Sequence, residues 1–177
     1  MIGLLAAEQQ RGRFDKIITL GASPCYLNLD GYEGGLDRDQ LNQLFLAIGS
    51  NYHAWAEAYA NHAVSRPPEH PAALDFRNSL MAMRNDIALT TAQMILLGDY
   101  RDRLDAMTVP TVVLQTRTDP AVPLAAAQYL HDHLKGSVLE ILETSGHMPH
   151  MTSPDIVLGA LHRHLRDTRS AATVGTG

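Results

Sequence analysis

The chain has 177 residues, 45% of them hydrophobic, and a net charge of −5, which suits one soluble globular domain. That balance leaves no electrostatic footprint for nucleic acid or an anionic membrane, and no apolar run approaches the roughly 20 residues of a membrane helix. The apolar start lacks the basic segment and small-residue cleavage site of a secretion signal. A single cysteine, Cys25, excludes an internal disulfide and a cysteine-based zinc site, and makes a reducing, cytoplasmic setting the default. The pairs His131/His133 and His162/His164 lie at i,i+2, which on a helix sends the two rings to different faces and argues against a metal site.

Residues 1–10 read as a helix, broken at Arg11-Gly12-Arg13. Lys16 to Leu20, ending at Gly21, predicts a short buried strand, and Ala22 to Gly35 reads as a loop. From Leu36 to about Asp99 the pattern is helical throughout. Leu41, Leu44, Phe45 and Ile48 fall at i, i+3, i+4, i+7, Asp37 with Gln40 reads as an N-terminal capping box, and Ser50 or Asn51 can cap the next helix. Arg66-Pro67-Pro68-Glu69-His70-Pro71 is a hard break, followed by helices over about 72–83 and 86–97. A strand–helix–strand–helix series then resumes. The closing helix, Pro154 to Arg166, carries Val157, Ala160, Leu161 and Leu165 on one apolar face.

A block of four helices therefore interrupts an α/β alternation. It is too long for an ordinary connection and reads as an inserted lid over the active-site end of a mostly parallel sheet. The organisation expected is core over 1–35, lid over 36–99, core over 100–167, and a disordered tail over 168–177. Only about three strands are available, so one sheet edge is left unpaired.

Two residues carry the chemistry. Asp119 follows the apolar strand that begins at Thr111, and His147 follows the strand that begins at Val138. An acid and then a histidine on loops after parallel strands is the order in which a serine hydrolase places the residue that orients its base and the base itself. The plain alternative makes Asp119 a turn residue before Pro120 and His147 a surface histidine. No Gly-x-Ser-x-Gly elbow is present. Ser23, Ser145 and Ser153 lack its signature, His150 reads as a packed or solvated histidine, and Cys25 has no basic cluster to make it a reactive thiolate. Trp55 and Tyr59, at i,i+4, either line a pocket or fill the core of the helical block.

Several stretches carry a family resemblance. They include Ser23-Pro24-x-Tyr26-Leu27-Asn28, Tyr32-x-Gly34-Gly35, Asn51-Tyr52-x-Ala54-Trp55 and Met83-Arg84-x-Asp86-Ile87. Asp99-x-Arg101, Gln115-x3-Asp119-x2-Val122-Pro123 and Gly146-His147-x-Pro149-His150 follow. Over about residues 1–166 the chain resembles the RsbQ-like group of the α/β-hydrolase superfamily, which includes a bacterial sigma-B stress regulator and the plant karrikin and strigolactone receptors. The resemblance implies the C-terminal part of an α/β-hydrolase fold with an inserted four-helix lid. It implies Asp119 as triad acid and His147 as triad base. Trp55, Tyr59 and Leu96 would sit on the lid wall of a small apolar pocket, with Tyr26 and Val122 nearby. It implies no cofactor and no metal, a small hydrophobic ester or lactone as ligand, and a regulatory phosphatase or other signalling protein as partner. In the family a Gly-His-Ser-Val-Ser segment carrying the nucleophile precedes the position of Met1. The chain is therefore expected to be a fragment, inactive alone and prone to aggregate through its open sheet edge.

Overall fold

The computed structural model describes residues 1–172, with side chains through Arg166. Helix α1 (Ile2–Gln9) leads to strand β1 (Ile17–Leu20). Four helices follow: α2 (Arg38–Ser50), α3 (Tyr52–Val64), α4 (Pro71–Met81) and α5 (Asn85–Leu96). A 3-10 turn (Arg101–Ala106), β2 (Thr111–Thr118), α6 (Leu124–His133), β3 (Val138–Ser145), α7 (Pro149–Thr152) and α8 (Pro154–Ala172) complete the described chain. Helix α8 runs on into the stretch expected as a tail, and residues 173–177 lie outside the described residues.

The described sheet has the order β1-β2-β3, all parallel, with β2 in the centre. Strand β2 is buried from Thr111 to Thr116 because helices cover both its faces, and its side chains alternate between two cores. Val113 packs with Leu4, Leu104, Ala127 and Leu130, on the side of α1 and α6. Val112 and Leu114 pack with Leu142, Val157 and Ala160, on the side of α8. The expected burial of β1 is only half met: all four of its residues are intermediate, because it is the edge strand of this sheet. Leu165 also departs from expectation. It is 52% exposed, whereas Val157, Ala160 and Leu161 pack into the core.

The helical block begins where the sequence indicates. Gln40 Oε1 accepts the Asp37 N–H at 2.8 Å, and Asn51 Oδ1 accepts the Ala54 N–H at 3.2 Å. Ile48, Tyr52, Ala56 and Ala88 form the block's own core, and the Tyr52 hydroxyl donates to Leu80 O at 2.7 Å. The two connections to the sheet are tied together. Cys25 and Asp99 form an antiparallel bridge, and the Tyr100 N–H donates to Pro24 O at 2.9 Å. Arg101 pairs with Asp99 at 2.7 Å and lies 4.8 Å over the Tyr32 ring. None of the described helices is long and apolar enough to cross a membrane.

If β2 is the keystone of the two cores, Leu114→Ala leaves a fully enclosed void and costs about 2–5 kcal/mol in urea denaturation. Leu46→Ala, at a side chain 70% exposed, stays within about 0.5 kcal/mol.

Candidate active site

Both chemically informative residues sit just past the carboxyl ends of adjacent strands. The β2–β3 register shifts between Thr116 and Thr118, so the last pair joins Thr118 to Ser145. Such an irregularity re-aims the chain as it leaves the sheet. Asp119 then turns inward. Its Oδ1 accepts the Ala121 and Val122 N–H groups at 2.8 and 3.0 Å, and its Oδ2 accepts Gln115 Nε2 at 3.0 Å. His147 Nδ1 lies 3.0 Å from Oδ2 and 3.2 Å from Oδ1. With a carboxylate opposite it, Nδ1 carries the proton and donates. Nε2 makes no hydrogen bond among the described residues.

Burial pushes the Asp119 carboxyl up, since its side chain is only 1% exposed. The His147 hydrogen bond and charge and the two backbone amides outweigh that, holding it below the usual carboxylate range.

The base is held through its own backbone. The Gly146 N–H donates to Thr118 O at 2.8 Å, and Thr116 Oγ1 donates to Gly146 O at 3.0 Å. From the other side, the His147 N–H donates to Ala63 O at 2.7 Å, in the last turn of α3. Gly146 has φ +96°, and a Cβ there would lie 2.6 Å from Val64 O, so only glycine permits the approach. Gly21, at φ +60°, serves the same end at β1: a Cβ would stand 3.1 Å from the His147 ring. Neither role is visible in a single sequence, although both glycines end strands.

His147 borders a mostly apolar cavity of about 390 Å³ between the sheet end and the helical block. Tyr26, Trp55, Tyr59 and Leu96 line it, and Leu44 and Met148 join them. Trp55 and Tyr59 stack at 4.9 Å with their planes 10° apart. The Tyr26 phenol is pushed up to about 12 by burial, then by Tyr59 and Asp119, so it stays a neutral donor. Val122, expected nearby, is fully buried behind the cavity wall, packs with Cys25 and Ala126, and holds Asp119 through its N–H.

The other candidates lie elsewhere. Ser23 Oγ donates to Cys25 O at 2.6 Å, Ser145 Oγ accepts from Arg66 at 2.9 Å, and Ser153 Oγ pairs with Thr144 at 2.7 Å. His150 is exposed. Burial pushes the Cys25 thiol up, away from thiolate chemistry.

Because folding lowers the Asp119 pKa, its stabilising contribution is complete above the ordinary carboxylate value of about 3.9 and is lost as pH falls through the folded value. Stability measured against pH by urea denaturation should therefore fall less steeply in acid for Asp119→Asn than for the parent. Parallel curves would contradict this account of the carboxylate.

The chain is similar to several known proteins. Residues 96–173 match the family model described as TAP-like protein. The chain is 41% identical over 167 residues to a probable esterase of Oryza sativa subsp. japonica, covering 94% of this chain. It is 40% identical over 166 residues to karrikin insensitive 2 receptor CA of Petunia hybrida, covering 93%. The chain spans 62% of the length of each of these two relatives. A hydrolase structure from Oleispira antarctica superposes with a TM-score of 0.88 at 26% identity, covering 93% of this chain and 61% of that one. The sheet order, the Asp119–His147 placement and these likenesses converge on one conclusion: the chain belongs to the α/β-hydrolase superfamily.

Proposed function

We propose that this chain supplies the base, the orienting acid and the ligand pocket of a serine hydrolase for small hydrophobic esters or lactones. The observation that carries the reading is the Asp119–His147 pair at 3.0 Å, with His147 on the wall of an apolar cavity. Asp119 fixes the tautomer with Nδ1 protonated, which leaves Nε2 as the base. As a serine Oγ attacks the carbonyl carbon, Nε2 takes its proton. When the tetrahedral intermediate collapses, the same nitrogen returns that proton to the leaving oxygen. Water then releases the acyl group by the reverse proton path. The chain spans 62% of the length of the Oryza sativa relative, and the serine and an upstream oxyanion donor are proposed to lie in the remainder, which would leave the chain alone inactive. Helices α2 to α5 act as the lid, and their small apolar pocket selects ligands with little polar surface. The lone buried thiol of Cys25 suits a cytoplasmic setting.

A second reading is a ligand sensor that signals through a protein partner, such as a regulatory phosphatase. It is favoured by apolar side chains left open on the same helices, Leu46 at 70% and Met94 at 71% exposed.

Trp55 is the single tryptophan, so intrinsic fluorescence reports the cavity directly. Titrating a phenyl-substituted butenolide into the 177-residue chain should give a saturable change, abolished by Leu96→Arg. A flat titration of the folded parent would overturn the pocket assignment. In a longer polypeptide that includes a serine elbow, His147→Asn should lower kcat for ester hydrolysis by about 10⁴–10⁶. A loss smaller than tenfold would remove His147 as base. Steady ester turnover by that polypeptide with no partner captured would sink the sensor reading.

A further inference from the structure

We infer that Gln115 is a positioning residue for the candidate acid, an inference that rests on the Asp119–His147 reading above. Gln115 lies on β2, four residues before Asp119, and is fully buried in a stretch, Thr111 to Thr116, otherwise filled by apolar and hydroxyl side chains. Its Nε2 donates to Asp119 Oδ2 at 3.0 Å and to Val122 O at 3.1 Å. Both neighbours are acceptors, so the amide nitrogen must face them and the amide cannot be flipped. Its Oε1 finds no partner among the described residues. An apolar residue would fill the same space without stranding an acceptor, so the amide is retained for what its nitrogen does.

Asp119 Oδ2 is the oxygen nearest His147 Nδ1. The Ala121 and Val122 amides hold only Oδ1. Two amides on one oxygen leave the carboxylate free to swing about that anchor. Gln115 pins the second oxygen, and through Val122 O it also braces the turn that carries the two amides. The plane of the carboxylate, and so the direction of the Nδ1–H···Oδ2 bond, is set by Gln115.

The test reads the His147 Nδ1 proton by NMR in histidine-labelled chain, with thermal melts to confirm folding. In the parent the Nδ1 proton should be protected from solvent exchange. In Gln115→Leu, measured well below its melting temperature, exchange should quicken about tenfold or more, the equivalent of one lost hydrogen bond. Gln115→Glu keeps the shape but offers a donor only when protonated, and a second carboxyl beside Asp119 shares a raised pKa. Protection in that variant should therefore hold in acid and vanish as pH rises, a response that space filling alone cannot produce. Unchanged protection in folded Gln115→Leu, or pH-independent protection in Gln115→Glu, would overturn the inference while leaving the Asp119–His147 pair intact. Should Gln115→Leu fail to fold, the pH response of Gln115→Glu decides alone. An unprotected proton in the folded parent would remove the pair itself, and this inference with it.

Discussion

The peptide joining Gly146 to His147 is gripped from two sides. Thr116 and Thr118, at the end of the central strand, hold its Gly146 side, while the last turn of α3 accepts the His147 N–H. Placement of the imidazole thus depends on the sheet and the helical block being docked together. The grip also explains why a glycine stands at 146, since the Val64 carbonyl occupies the space a side chain would need. Helix α3 also carries Trp55 and Tyr59 to the cavity, so one rigid element sets both the wall of the pocket and the seat of the base.

Asp119 shows how competing effects resolve at such a site. Taking a carboxylate out of water favours its neutral form, and here that is the largest single influence. The His147 ring and two backbone amides reverse it, and the Gln115 amide adds a fourth hydrogen bond to the same carboxylate. A buried charge that is fully hydrogen-bonded is tolerated, whereas the same charge left short of a donor would be costly. The orphaned Gln115 oxygen is the visible cost of that arrangement.

Much of this was legible in the sequence, for identifiable reasons. Strand periodicity and the residues that follow each strand placed Asp119 before His147, and parallel strands then bring their carboxyl ends together. Capping chemistry marked α2 and α3, because Asp37, Gln40 and Asn51 act within one turn of their own helices. Long-range relations were not legible. The i,i+4 spacing of Trp55 and Tyr59 defines a face without saying whether core or cavity lies opposite. The place of Val122 in a motif does not show that its backbone N–H holds Asp119. The grip on Gly146 joins residues some eighty positions apart, beyond the reach of any local pattern.

The central claim is that Asp119 fixes His147 with its proton on Nδ1 and leaves Nε2 free to act as a base. The most direct measurement is the ¹⁵N chemical shift of the two His147 ring nitrogens, recorded on the neutral imidazole. The account predicts a protonated Nδ1 and a bare Nε2, with that preference lost in Asp119→Asn. A proton on Nε2 in the parent chain would contradict it.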